Sequence, residues 1–177
     1  MKNKEKNIKF IPLNICVLTI SDTRKNNNDK SGNLLCQKIK KSKHNVFEKK
    51  IIKDDVHLII KQIKKWSKNK NIDIIISTGG TGLTGRDSTP EAIMQIADKI
   101  IDGFGELFRM ISYNKIGSSA IQSRSLGAIV KGKYIFTLPG SPSACKDAWD
   151  EILKFQLDIR FKPCNFAELI PRLKEKR

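Results

Sequence analysis

Residues 73–91 read Asp-Ile-Ile-Ile-Ser-Thr-Gly-Gly-Thr-Gly-Leu-Thr-Gly-Arg-Asp-Ser-Thr-Pro-Glu, and their order decides the fold. Asp73 to Ser77 is a short β-branched run, the composition of a strand covered on both faces. It passes directly into glycines. Beyond them, Ser88-Thr89-Pro90-Glu91 marks a helix start, with Thr89 or Ser88 as N-cap and Pro90 in the first turn, where its missing N–H costs no hydrogen bond. A strand, a Gly-rich turn and a helix in this order form a βα unit. Open α/β sheets bind their ligands at the carboxyl ends of such strands. Glycines there let backbone N–H groups approach phosphate oxygens, so Thr78, Gly79, Gly80, Thr81 and Gly82 are read as an anion-binding turn. The competing reading is a tight loop that needs positive-φ glycines and binds nothing.

The flanking sequence repeats the alternation. Asn14 to Ile20 is a continuous apolar run bounded by polar residues, the pattern of a central strand in a parallel sheet. A helix is expected from Ser31 to Lys43, with Leu34, Leu35 and Ile39 inward, followed by a strand from Val46 to Ile52. Asp55 or Asp54 can cap the next helix, in which Val56, Ile59, Ile60, Ile63 and Trp66 recur at helical spacing while lysines fill the other face. After Pro90, the residues Ala92, Ile93, Ile96 and Ala97 keep the helical period. Gly103-Phe-Gly105 reads as a break before another helix carrying Leu107, Phe108 and Ile111. Leu126 to Val130 and Tyr134 to Leu138 are two strands joined at Lys131-Gly132-Lys133. Pro139-Gly140-Ser141-Pro142 opens a last helix with Ala144, Ala148, Ile152 and Phe155 inward. No repeat, linker or composition shift divides the chain. The expectation is one α/β domain over 1–177, three layers around a doubly wound, mostly parallel sheet, with its core at about 11–160 and a tail from 161 to 177.

At 177 residues the chain is long enough to bury a core without disulfides or metal. Cys16, Cys36, Cys145 and Cys164 are scattered with no Cys-x-x-Cys pair, which argues against structural zinc and for a reducing compartment. Lysines at 2, 4, 6 and 9 before Ile11 to Ile20 imitate a secretion signal. Pro12 and Asn14 interrupt the run, however, and no small-residue cleavage site follows, so a cytoplasmic protein is expected. No window approaches the roughly 20 apolar residues of a spanning helix, and no membrane partner is expected. The net charge of +16 raises nucleic acid as a partner. Against it, 27 of the 34 basic residues are Lys, without the Arg forks and stacking aromatics of a phosphate-reading surface. In the lysine-dense stretch 38–70, Phe47 and Trp66 are the only aromatics, and both are expected to be buried.

Two short patterns point elsewhere. Gly80-x-Gly82-x-x-Gly85 satisfies the dinucleotide-binding expression. That fingerprint belongs on the first βα turn with its last glycine inside the helix, whereas here Arg86-Asp87 intervene before a helix at about Pro90. Gly127-x-x-x-x-Gly132-Lys133 imitates a phosphate-binding P-loop, but Tyr134 stands where a magnesium-ligating Ser or Thr is required, and a strand follows instead of a helix.

Ser77 to Glu91 resembles the signature of the MoaB/Mog family of molybdenum cofactor biosynthesis proteins. Ser21-Asp-Thr23, Asp29-Lys-Ser-Gly32, Gly103-Phe-Gly-Glu106, Ser123-Arg124 and Leu138-Pro-Gly-Ser-Pro142 resemble the family's other blocks, in order, across most of residues 11–160. Phe10-Ile-Pro12 and Pro163-Cys-Asn-Phe166 are similar to its B branch. The resemblance implies molybdopterin as substrate, ATP as co-substrate and adenylyl transfer that releases pyrophosphate. It implies Asp54 and Asp87 as catalytic carboxylates, with Mg2+ near one of them. Ser21, Asp22, the Thr78–Gly82 turn, Gly140 and Ser141 are implied as binding positions. It also implies a homotrimer or homohexamer working with other proteins of the same pathway. The alternative is a non-catalytic molybdopterin-binding protein. One departure is Lys53, where adenylylating members usually carry proline.

Overall fold

The structure, a computed structural model, describes residue 5 and residues 7–175. Lys2, Lys4 and Lys6, which gave the N-terminus its signal-like look, lie outside the described residues. Six strands form one sheet: β1 (Asn14–Ile20), β2 (Asn45–Ile52), β3 (Ile74–Thr78), β4 (Lys99–Ile101), β5 (Leu126–Val130) and β6 (Lys133–Leu138), in the spatial order β2-β1-β3-β6-β5-β4. β1 lies between β2 and β3 and is parallel to both, and β3 is parallel to β6. The central strand expected at Asn14–Ile20 is therefore present, and it is buried on both faces from Ile15 onward. β5 and β6 pair antiparallel through a two-residue turn in which Lys131 and Gly132 have φ 51° and 70°, the mirror-image turn whose twist suits a hairpin.

Helices cover both faces. On one side α1 (Lys30–Lys41), α4 (Asp102–Ile116) and α5 (Pro142–Asp147) pack Leu35, Ile39, Phe104, Phe108 and Cys145, joined by Trp149 just beyond α5, over Ile15, Val17, Ile74, Ile76 and Phe136. On the other, α2 (Val56–Lys68) and α3 (Thr89–Met94) pack Ile59, Ile63, Trp66 and Ile93 over Cys16, Leu18, Ile75 and Ile135. The alternation of side chains along each strand thus feeds two cores from one sheet. After β1 the chain crosses through α1 to β2 on one flank. It then returns through α2 on the opposite face to β3 on the other flank. The carboxyl ends of β1 and β3 are the switch point of the topology, where a crevice opens in this architecture.

Several details depart from the sequence expectations. Gly103 and Gly105 do not break a helix; they lie in the first turn of α4, which follows directly on β4. A Cβ on Gly105 would stand 2.5 Å from the Ser125 carbonyl oxygen, so glycine lets α4 approach that backbone. α3 ends at Met94, before Ile96 and Ala97, which still pack against the second core. Phe47 is 42% exposed, because β2 is an edge strand covered less fully than β1. After α5 the chain widens into π-helical turns over Ala148–Leu153 before α6 (Lys154–Gln156). That extra width shifts the phase, so Leu153 and Leu157 are buried and Phe155 is only half-buried, with its ring against Phe161. In the tail, α7 (Phe166–Leu169) returns Phe166 onto Tyr134 and Phe136.

At the amino-terminal rim, buried His44 accepts a 3.1 Å hydrogen bond from the Leu13 N–H through Nδ1. Burial pulls its pKa down to about 4, with the charge of Asp158 opposing the shift. The folded state therefore holds His44 neutral, while the unfolded chain takes up a proton below about pH 6.5. This stability is fully present above that pH and is lost as pH falls toward 4. Urea unfolding at pH 7.5 and 4.5 should show wild type losing about 2–3 kcal/mol more than His44→Asn. An equal loss in both proteins would show that His44 is not held neutral.

Candidate functional site

All four parallel strands end on one rim. β1 leads into Ser21 and Asp22, β2 into Lys53 and Asp54, β3 into the glycine turn, and β6 into Gly140 and Ser141. The glycine turn is held hard against its neighbours. Gly79 has φ 104° and donates its N–H to the Leu138 carbonyl at 3.0 Å, and a Cβ there would stand 2.1 Å from the Ile20 carbonyl oxygen. Gly80 has φ 64°, and a Cβ there would meet Asp54 Oδ2 and Thr89 Oγ1, each at 2.4 Å. Both conformations and both approaches require glycine. Between the ends of β1 and β3 lies a crevice of about 220 Å³, lined by Ser21, Thr78, Gly79 and Gly140 together with Thr19, Asp29 and Ser31. The backbone N–H groups of Gly80, Thr81, Gly140 and Ser141 find no acceptor among the described residues. Of these residues Gly140 lines the crevice and Gly80 and Ser141 adjoin lining residues, and unpaired N–H groups there suit an anionic ligand.

The hydroxyls of this rim serve the fold. Thr78 donates to the Pro139 carbonyl at 2.8 Å, and Thr81 is buried. Ser21 Oγ accepts from the N–H groups of Thr23 and Arg24, and Ser141 Oγ caps α5 by accepting from Ala144. Asp22 forms an ion pair with Arg86 of the glycine loop. Beneath the crevice, buried Asp29 accepts from Thr19 at 2.8 Å and Gly32 at 2.9 Å and pairs with Lys49 at 2.7 Å. Burial works against its charge, but these partners outweigh it and hold the carboxyl below the usual range.

The two candidate carboxylates differ. Asp55 caps α2 by accepting from Leu58 at 2.9 Å, which frees Asp54 from that duty. Asp54 Oδ1 instead accepts from Ser88 Oγ at 2.7 Å and from Ser88 N at 3.3 Å, while Oδ2 faces Gly80 with no donor among the described residues. Ser88 sits at the N-cap of α3 but makes no capping bond, its hydroxyl being turned to Asp54. Burial raises the Asp54 pKa, Ser88 works against that, and the charges of Asp87 and Asp22 add to the rise. Asp87 goes the other way: Thr84 gives its carboxylate the hydroxyl at 2.5 Å and the N–H at 3.0 Å, which lowers its pKa against a smaller cost of burial. One carboxylate is therefore held within its loop through Oδ2. The other is crowded by negative charge and would be relieved by a cation.

Sequence reasoning did not assign Arg124 to the site, although Ser123-Arg124 stood out as a block. Its guanidinium donates to the Gly82 carbonyl at 2.7 Å and the Asp87 carbonyl at 2.8 Å and pairs with Glu91, so it fixes the far side of the glycine loop. Its partners lie more than 30 residues away in the chain, and only the fold brings them together. Among the described residues no group of three or more His, Cys, Asp or Glu side chains is arranged to cage a metal. The free Asp54 oxygen nonetheless suits Mg2+, a hard cation bound through one or two carboxylates and completed by phosphates and water.

Comparison with known proteins adds kinship to this geometry. Residues 16–158 match a family described as "Probable molybdopterin binding domain". Molybdenum cofactor biosynthesis protein B of Escherichia coli is 40% identical over 166 residues, covering 94% of this chain and 96% of that protein. A crystal structure of a molybdenum cofactor biosynthesis protein B superposes with a TM-score of 0.84 at 37% identity, covering 94% of this chain and 98% of that one. That of the tungsten cofactor synthesizing protein MoaB from Pyrococcus furiosus superposes with a TM-score of 0.77 at 30% identity, covering 93% and 98%.

Proposed function

This chain belongs to the MoaB/Mog family of molybdenum cofactor biosynthesis proteins, and from that membership and the rim geometry we propose that it is a molybdopterin adenylyltransferase. In this reaction a phosphate oxygen of molybdopterin attacks the α-phosphorus of ATP. A new P–O bond forms, the bond to the β-phosphate oxygen breaks, and pyrophosphate leaves with the electron pair. The attacking phosphate is ionised at neutral pH, so no side-chain base is needed; positioning and charge neutralisation do the work. The N–H groups of Gly80, Thr81, Gly140 and Ser141 would receive phosphate oxygens, with Ser21, Thr78 and Gly79 shaping the crevice. Bound Mg2+ would neutralise charge on the reacting phosphates, and Asp54 is the residue best placed to hold it, with Asp87 ordering the loop beside it. The observation that carries the reading is Asp54 itself: a half-buried carboxylate with one free oxygen, released from helix capping and set against the glycine turn.

A second reading has its own support. Asp87 Oδ2 is committed to the hydroxyl and N–H of Thr84, and a carboxylate tied into its own loop in this way suits a protein that binds molybdopterin without transforming it. The two are separated by mixing purified protein with molybdopterin, ATP and Mg2+. The enzyme reading expects adenylylated pterin and pyrophosphate in equal amounts. Bound pterin without turnover would remove it. Asp87→Asn should abolish most turnover with modest loss of pterin binding, and an unchanged rate would remove Asp87 from the site.

Other proteins of the same pathway are the natural partners under this reading. A homotrimer or homohexamer is supported by the exposed apolar residues Met110, Tyr113 and Ile116 of α4, with Ile121 beside them. No helix among the described residues is long and apolar enough to cross a membrane, and all four cysteines are free, which supports a cytoplasmic placement.

A further inference from the structure

Nucleotidyl transfer at this rim, on which the inference rests, must hold a strongly anionic leaving group beside the carboxylates of Asp22, Asp54 and Asp87. A trough of about 520 Å³ adjoins the crevice and shares Ser21 and Arg24 with it. It lies between the loop after β1 and the outer strand β2. Five cations line it, Arg24, Lys25, Lys49, Lys50 and Lys53, against one carboxylate, Asp22. That carboxylate is already paired with Arg86, and Lys49 is committed to Asp29. The other four cations meet no carboxylate among the described residues: Lys50 donates to the Gln62 amide and Arg24 to the Asn28 carbonyl, both neutral. Lys53 is exposed and fixed one residue before Asp54. Positive charge is therefore concentrated on the flank of the rim where the carboxylates would otherwise repel a polyphosphate.

We propose that this trough is the polyphosphate subsite, in which Lys53 with Arg24, Lys25 and Lys50 holds the β- and γ-phosphates of the nucleotide and then the departing pyrophosphate. Lys53 is a substrate-positioning residue, set by its chain position next to Asp54. A second pocket of the same size, at the amino-terminal rim beside His44, also carries five cations: Lys9, Lys41, Lys43, Lys154 and Arg160. It lies at the opposite ends of the strands and supplies an internal control for bulk charge.

The probe is inorganic tripolyphosphate, titrated calorimetrically into the full chain at fixed ionic strength. Lys53→Ala should weaken binding about tenfold, the loss of one charge-assisted contact, while Lys53→Arg retains it and molybdopterin affinity is unchanged. The double variant K41A/K43A should bind as wild type. In turnover, Lys53→Ala should raise the KM for ATP more than it lowers kcat. Unchanged tripolyphosphate affinity in Lys53→Ala, or an equal loss in K41A/K43A, would overturn the subsite. Lys53-dependent binding in a protein without turnover would keep the subsite and remove the adenylyltransferase reading, so the two fail separately.

Discussion

Asp54→Asn is expected to lower turnover about 10²–10³-fold, the usual cost of deleting one group that stabilises developing charge. Molybdopterin affinity should hardly change. The substitution is nearly isosteric: Asn retains an oxygen to accept from Ser88 Oγ and N, and its amide takes the place of Oδ2 beside Gly80. What disappears is the charge. Because burial, Asp87 and Asp22 all oppose ionisation of Asp54 in the fold, removing that charge should leave stability equal or slightly higher, the sign expected where function keeps an unfavourable group. A steady-state assay beside a urea titration checks both parts. Wild-type turnover in Asp54→Asn would exclude Asp54 from the chemistry, and marked destabilisation would mean its role is structural.

Gly79→Ala is expected to be the most damaging small substitution on the rim. The methyl would sit 2.1 Å from the Ile20 carbonyl oxygen, which is backbone and cannot swing aside, at a residue with φ 104°. Left-handed strain and the forced separation of β1 from β3 together should cost roughly 3–5 kcal/mol. Against the roughly 5–15 kcal/mol by which domains are usually stable, that is a large fraction. Any folded population should have a splayed crevice and weakened pterin binding. Gly85→Ala is the control: it lies in the same loop with open space around its Cβ position, and it should behave as wild type. A Gly79→Ala protein with normal stability and binding would show that the close approach to β1 is not required.

The parts of the fold legible in the chain were those set by local pattern. β1 announced itself because an unbroken apolar run can be covered only inside a parallel sheet, and α2 because Ile59, Ile63 and Trp66 share a face. β4 stayed hidden because three residues, including an exposed lysine, carry no period; their strand character comes from pairing with β5. Gly105 of α4 misled for a like reason, since the demand for it comes from Ser125, twenty residues away. At the site, the glycine turn was readable as a turn, and Asp54 was ambiguous with a helix cap until Asp55 was seen to take that role. Arg124 and Ser88 act through partners that only the tertiary fold supplies.

β2 is the outermost strand at one end of the sheet, and among the described residues no other strand pairs its outer row of backbone N–H and C=O groups. Such a row is a template on which a foreign strand, or another copy of this one, can add and begin aggregation. Lys49, Lys50 and Lys53 lie along that strand and the turn that follows it, and a second copy brought alongside would set like charges against them. At the other end β4 offers only three residues, too short to seed such growth. The lysine excess that argued against a nucleic-acid surface therefore also favours solubility, guarding the long open margin of the sheet.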